Sequence, residues 1–475
     1  NMSRSFEIFF RHIEFLENQI EFYSKNRKNN SELAITWNNI DSTEFNGEIF
    51  AQMNLSSPKN YPVLDFQFSP SLFVISSDYW YINDCRIKVD SSKINVDKLI
   101  FNHGDQYFYA NGLISDNIHD TLNILLNDID LNNFNYISEN YGLNLRGILN
   151  GQAKISNLYQ NTRAETNLNI DNLIINNQSF GEFYARSFWI NKSGKIHLNA
   201  FTKRGKLKTI QIKGDYILAD SNLDFMISLD KMKLNVLDPF LEGVISRVRG
   251  IANGNIDVQG NYNSPIVDGK INLQKTSFTI DYLNTRYNFS DHIDITHNSV
   301  SFDSIHINDQ YGNISVAQGN ILHNNFRNFK FNIILQADHF QFLDTKQTDN
   351  ELFFGEAFGS GTINIKGNTD DININVNAKS EKIYDKIRKK TRMTRIMIPL
   401  SGNEDIEENN FIRFVNTEID TTEKEDYKVD VSGITLDFNF EVTPDAEVQI
   451  IFDSKVGDVI RARGNSNLKL EINTL

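Results

Sequence analysis

A chain of 475 residues with 47 basic and 61 acidic side chains carries a net charge of −14, which excludes general nucleic-acid binding because phosphate affinity needs a basic surface. With 40% apolar residues, 35 Phe and 17 Tyr, it is not disordered and can fill the cores of about three domains. One cysteine, Cys85, leaves neither a disulfide framework nor a Cys-rich zinc site, and no run of 18 apolar residues would cross a membrane as a helix.

A lone thiol fits a cytosolic protein, or a large periplasmic one that relies on its own core. No signal peptide stands at Asn1. The Asn1-Met2 start and the stop at Thr474-Leu475 are expected to be cuts in a longer protein, with any anchor or export signal outside this segment.

In residues 5–28, Phe6, Phe9, Phe10, Ile13, Leu16 and Ile20 fit a helical stripe that ends in the basic Lys25–Lys28 run. A membrane-surface helix, a core-facing helix and a pair of strands all suit it. From Leu33 to Asp130 the pattern is short strands: 33–37, 48–55, 63–68, 72–75, 86–89, 94–101, 106–113 and 122–126. Residues 131–146 are expected to hold a first helix between strands. Leu223, Phe225, Ile227 and Leu229 alternate as a strand that leads into a helix predicted over Asp238–Arg249. Asp238 would cap it, Pro239 suits its first position, and Leu237, Phe240, Leu241, Val244, Ile245 and Val248 form one apolar face. Gly250 would stop it, and a Gly-x-x-x-Gly turn would follow.

The plan repeats. Gly147-Ile-Leu-Asn-Gly151 and Gly250-Ile-Ala-Asn-Gly254 are nearly identical, Gly355-Glu-Ala-Phe-Gly359 follows, and the intervals are 103 and 105 residues. Gly112, Gly214 and Gly319 keep the same beat, each ahead of an apolar strand. The units expected are an uncertain segment 1–32, repeats 33–146, 147–249 and 250–354, and a distinct C-terminal domain 355–475. Strands at ~11-residue spacing would number about 43, stacking to about 200 Å at most. That is an elongated, solenoid-like all-β sheet with a few short amphipathic helices.

Each strand has one apolar and one polar face. Ile372, Ile374 and Val376 alternate with Asp371, Asn373 and Asn375; Leu436, Phe438, Phe440 and Val442 with Asp437, Asn439 and Glu441; Leu468, Leu470 and Ile472 with Lys469 and Glu471. The apolar face must close, stack, or curl into a trough filled by something apolar. No catalytic or metal chemistry stands out. The nine histidines are scattered, with His292 and His297 flanking a strand and no H-E-x-x-H. Gly359-Ser360-Gly361 lacks the rest of a phosphate loop and reads as a hairpin turn. Glu441, Asp445, Glu447, Asp453 and Asp458 lack a calcium-loop pattern and suit polar strand faces. Against the acidic background, Lys379, Lys382, Lys386, Arg388, Lys389, Lys390, Arg392 and Arg395 form a basic run. It blunts a sheet edge, or contacts anionic headgroups or a negative partner.

Residues 433–472 are similar to the C-terminal domain of TamB-type translocation and assembly module proteins, in their Bacteroidetes form. The resemblance rests on Glu441-Val-Thr-Pro-Asp-Ala-Glu447, Gln449-Ile-Ile-Phe-Asp453, Gly457-Asp-Val-Ile460 and Asn467-Leu-Lys-Leu470. Ile398-Pro-Leu400, Phe411-Ile-Arg-Phe-Val415 and the glycine-rich block 353–367 extend it. Ser466 and Met393 stand where the family usually has glycine.

The resemblance implies a long curled sheet with an apolar concave face in the periplasm. It also implies an inner-membrane anchor beyond this segment and a TamA-like outer-membrane barrel of the BamA superfamily as partner. Members are held to carry phospholipids between membranes, and earlier accounts had them aid outer-membrane protein assembly. An acyl chain of about 16 carbons costs about 12 kcal/mol to expose to water, and an apolar floor removes most of that. Expected floor residues are Ile372, Ile374, Val376, Leu436, Phe438, Phe440, Val442, Val448, Ile450, Phe452, Leu468, Leu470 and Ile472. Lys386, Arg388, Lys389, Lys390, Arg392 and Arg395 are the headgroup or partner candidates, and the 238–249 helix either rims the trough or simply packs. The competing expectation is a structural or adhesin-like repeat protein with a closed, dry core.

Overall fold

A computed structural model describes residues 5–15, 18–39, 45–58, 61–157, 162–190, 194–241, 245–349, 353–368, 371–385, 388–399, 434–453 and 458–473. The fold is all-β, with 31 strands among the described residues and short helical turns such as Leu131–Phe134, Asn135–Ser138, Leu234–Leu237 and Asp238–Leu241. Strands of up to 19 residues explain why the number falls below the ~43 that regular spacing suggests. Two compact units emerge, Asn1–Asp230 with Asp257–Ile266, and Lys231–Ile256 with Val267–Leu475.

From Lys93 onward the first unit is an antiparallel meander; before it, Phe45–Ser56 pairs over Ala51–Ser56 with Val63–Phe68 and over Phe45–Glu48 with Ser71–Ile75, and the two arms rejoin at Lys93–His103 through Cys85–Val89 and Asp78–Ile82. Residues 5–28 are the pair of strands, Ser5–Phe15 against Asn18–Arg27, so the helical stripe is not used. Nine further strands pair each with the next: Lys93–His103, Gln106–Ser115, Thr121–Asp130, Leu145–Ser156, Arg163–Ile175, Gln178–Ile190, Lys195–Arg204, Leu207–Ile217 and Asn222–Lys233. Near their start, Trp37, Phe73, Trp80, Phe101 and Phe108 form an aromatic chain with ring centres 5.4–6.3 Å apart.

The second unit begins as a meander and ends in a fork. The strand Phe354–Asn368 pairs over Gly359–Asn368 with Asp371–Ser380, and over Phe354–Glu356 with Lys390–Pro399. One branch continues in parallel to Ile434–Val442 and then antiparallel to Ser466–Asn473. The other continues in parallel to Ala446–Asp453 and then antiparallel to Asp458–Ala462. Both branches feed one buried cluster: Val376, Leu436, Phe440 and Val442 from the first, Ile396 and Ala446 from the second, with Phe340 and Tyr287 from the meander.

The glycine beat marks bends inside strands, not turns between them. Asp128, Lys231 and His339 adopt φ of +53°, +49° and +52°, in the left-handed region. Each donates its backbone N–H to a side chain on the neighbouring strand: Asn150 at 2.9 Å, Asn253 at 2.9 Å and Ser360 at 2.9 Å. Those three acceptors stand directly before Gly151, Gly254 and Gly361. At Asp128 and His339 the pairing register slips, the signature of a β-bulge. Gly359-Ser360-Gly361 therefore lies mid-strand and is not a hairpin turn.

The helix expected over Asp238–Arg249 is also corrected. Helical backbone covers only Leu234–Leu241, and Ile245–Asn261 is a 17-residue strand running straight through Gly250 and Gly254. Gly250 has φ +123°, and a Cβ there would come within 2.9 Å of the Gln274 and Lys275 carbonyls, so it serves close strand approach and not a helix stop. The Asp238 carboxylate serves the following strand instead, accepting from the Val248 N–H at 2.7 Å and from Arg249 at 2.9 Å.

Candidate functional site

In an antiparallel sheet, residues directly opposed on neighbouring strands share a face, so the pairing register maps the faces without ambiguity. Across the first unit one row reads Phe108, Leu126, Gly151, Leu168, Ala185, Ala200, Ile212 and Ile227. Two residues along, the same face carries Ile124, Ala153, Thr166, Ser187, Leu198, Gly214 and Phe225. A third row carries Leu122, Ile155, Ala164, Trp189, Ile196, Tyr216 and Leu223. None of these side chains is charged. The opposite face alternates with Gln152, Asn167, Arg186, Asn199 and Lys213.

What makes this face a candidate site is how little covers it. Leu122, Ile124, Leu126, Leu168, Trp189, Leu198, Ile212, Phe225 and Ile227 are all only half-buried. Among the described residues from Thr121 to Lys233, the large apolar side chains that reach full burial are Ile129, Leu131 and Leu173. Ile129 sits beside a pinned bulge, as does Leu131, which opens the first helical turn. Side chains on one strip shade each other, yet among the described residues nothing brings them to full burial.

The C-terminal floor residues meet a different environment. Val376, Leu436, Phe440 and Val442 are buried at 7%, 5%, 1% and 4% exposure within the fork cluster. Ile372, Ile374, Phe438, Val448, Ile450 and Leu468 are half-buried, and Phe452 is exposed. Phe438 and Phe440 stack at 5.0 Å. Leu470 and Ile472 lie in the last strand opposite Phe438 and Leu436 by register. The two branches thus divide the expected floor between a sealed core and its margin.

The motif Glu441–Glu447 is the crossover between the branches. Thr443 donates its N–H to the Ser380 hydroxyl at 2.8 Å and its own hydroxyl to the Ser380 carbonyl at 3.1 Å. Asp445 pairs with Lys382 at 3.0 Å. Glu447, nearly buried, accepts from Gln449 at 2.5 Å and Arg463 at 2.7 Å and lies 3.5 Å from Arg395. The Gln449 amide first, then Arg463, hold the Glu447 carboxyl below the ordinary glutamate range. Of the acidic residues singled out along the sequence, Glu441, Asp445 and Glu447 thus stand in ion pairs.

The basic run splits as well. Arg392 is largely buried, pairs with Glu356 at 2.7 Å and Asp385 at 3.2 Å, and lies over the Tyr311 ring at 5.1 Å. Burial, then Glu356, pushes the Tyr311 hydroxyl upward. Arg395 turns to Glu447, whereas Arg388, Lys389 and Lys390 are exposed; Lys386 lies outside the described residues.

Two other groups invite a chemical reading. Cys85 is buried, and desolvation pushes its thiol up to about 11, which makes it an inert core residue. Asp338, His339 and Glu381 come together, Asp338 2.8 Å from Nδ1 and Glu381 2.7 Å from Nε2. The two carboxylates address opposite ring nitrogens, so a single ion cannot bind all three through one imidazole nitrogen.

Sequence reasoning placed its floor in the C-terminal strands and missed the open rows of the first unit. The alternation there is as clear as at 434–442. Nothing local separates a face that a fork later covers from one left bare.

Residues 303–475 match the family model described as the TamB C-terminal domain, a span that starts upstream of the boundary expected at 355 and takes in the whole fork. No curated protein and no solved structure matches the chain. With its fork, crossover motif and buried cluster inside that span, the C-terminal part of this chain is similar to a TamB C-terminal domain.

Proposed function

We propose that this chain is a TamB-type protein of the cell envelope that carries phospholipids, holding acyl chains along the apolar rows of its first unit while headgroups stay in water. The observation that carries the reading is the partial exposure of an uncharged apolar face that runs, row after row, across the strands from Gln106 to Lys233. At ~0.8 kcal/mol per methylene, such a face removes most of the cost of moving a hydrocarbon tail through water. A surface without a tight polar pocket lets a tail slide. The partners that go with this role are a TamA-like barrel of the BamA superfamily and, through a segment outside this chain, the inner membrane. Help in outer-membrane protein assembly is compatible with the same face. The closed dry core of the competing reading has a specific counterpart in the fork cluster, and we confine it to the second unit.

Mass spectrometry of the intact purified protein tests the proposal. Phospholipid should co-purify with the wild type and be lost from Leu168→Arg/Ile212→Arg, whose circular dichroism and melting stay unchanged because an arginine on a half-open face keeps its guanidinium wet. A lipid-free wild type, or a double variant that carries as much lipid, would overturn it.

A further inference from the structure

We infer that the hairpin Lys382–Pro399 presents its tip, Arg388, Lys389 and Lys390 with Tyr384, to the surface of an anionic phospholipid bilayer. The inference rests on the lipid-carrying reading, because it names where the protein meets the membrane that supplies or receives its cargo.

The structure separates the cations of the basic run into two jobs. Arg392 faces inward between Asp385 and Glu356, and Lys382 is engaged by Asp445 at 3.0 Å. Asp385 also accepts the Arg388 backbone N–H at 2.9 Å, which fixes the base of the tip. Among the described residues, Asp385, Glu356 and Asp445 are therefore turned to its stem. Arg388, Lys389 and Lys390 are exposed and make no ion pair among the described residues. At the tip end, Lys390–Met393 pairs with Lys382–Asp385, and the ladders of the same strand to Ala446–Asp453 and Phe354–Glu356 begin only at Thr394 and Arg395. Tyr384, on the outward face opposite Thr391, is 58% exposed, and a tyrosine beside lysines is the pairing that settles at the headgroup level.

Charge complementarity sets the orientation. The chain as a whole carries −14, so an anionic surface repels most of it and accepts it only at a locally basic point.

Vesicle flotation of the full chain decides the matter. Wild type should bind phosphatidylglycerol-containing vesicles, ignore pure phosphatidylcholine, and release as salt is raised. Replacing Arg388, Lys389 and Lys390 with serine should weaken binding roughly 100-fold, and Lys389→Arg/Lys390→Arg should keep it. Equal binding to both vesicle types, or unchanged binding by the serine variant, overturns the inference. Co-purifying lipid separates the two readings. A wild type that carries lipid yet ignores anionic vesicles refutes the tip alone, and tip-dependent binding by a lipid-free protein refutes the groove alone.

Discussion

At the level of single residues, the C-terminal crossover is held by charges that keep their ionised form. Glu447 is the clearest. Its carboxyl accepts from Gln449 and Arg463 and is held below its ordinary value of 4.5. A depressed carboxyl stabilises the fold above the ordinary value and loses that contribution as pH falls through its folded value. The urea midpoint of the wild type should accordingly drop on acidification below about pH 4.5 faster than that of Glu447→Gln, the two curves converging at low pH. Of this the sequence shows only the residue types in the Glu441–Glu447 motif. The partners Ser380 and Lys382 come from about sixty residues upstream and Arg463 from just past the next strand, and no spacing rule foretells them.

Among the elements, the pinned bulge is the repeated device. An N–H in the left-handed bulge cannot join the ladder, and the Asn or Ser on the next strand satisfies it. Asn253→Ala leaves the Lys231 N–H without that acceptor and should cost about 1–2 kcal/mol, read as a lower denaturation midpoint and faster amide exchange at Lys231. The beat of Gly147, Gly250 and Gly355 was legible from the sequence, as were most strands up to Leu126. Its meaning was not, because positive-φ glycine signals a turn or a helix end far more often than a bent strand. The same bias lengthened the 238–249 helix. Leu237, Phe240, Leu241, Val244 and Val248 do fit a helical face, but from Ile245 onward the chain enters sheet pairing, and tertiary ladders override a local periodicity.

For the molecule as a whole, the contrast that matters lies between a bare sheet and a sealed one. A charge placed on each should separate them. Phe440→Asp puts a carboxylate into a site with 1% exposure and should cost roughly 3 kcal/mol or more, seen as early unfolding of the second unit, while Phe225→Asp in the first leaves the melting profile nearly unaltered. All-β class and alternating faces could be read from residue order alone. Which faces stay open could not, since that depends on the strands 434–442 and 446–453 returning to earlier partners.

That return has a consequence for how the chain is made. In the meander each strand finds its mate in the segment just before it, so pairing can keep pace with synthesis. The two parallel ladders are different: Asp371–Ser380 and Lys390–Pro399 wait for Ile434–Val442 and Ala446–Asp453, which are made much later. Until those arrive, Val376 and Ile396 stay greasy and unprotected, a flag by which chaperones and proteases can tell an unfinished molecule from a complete one.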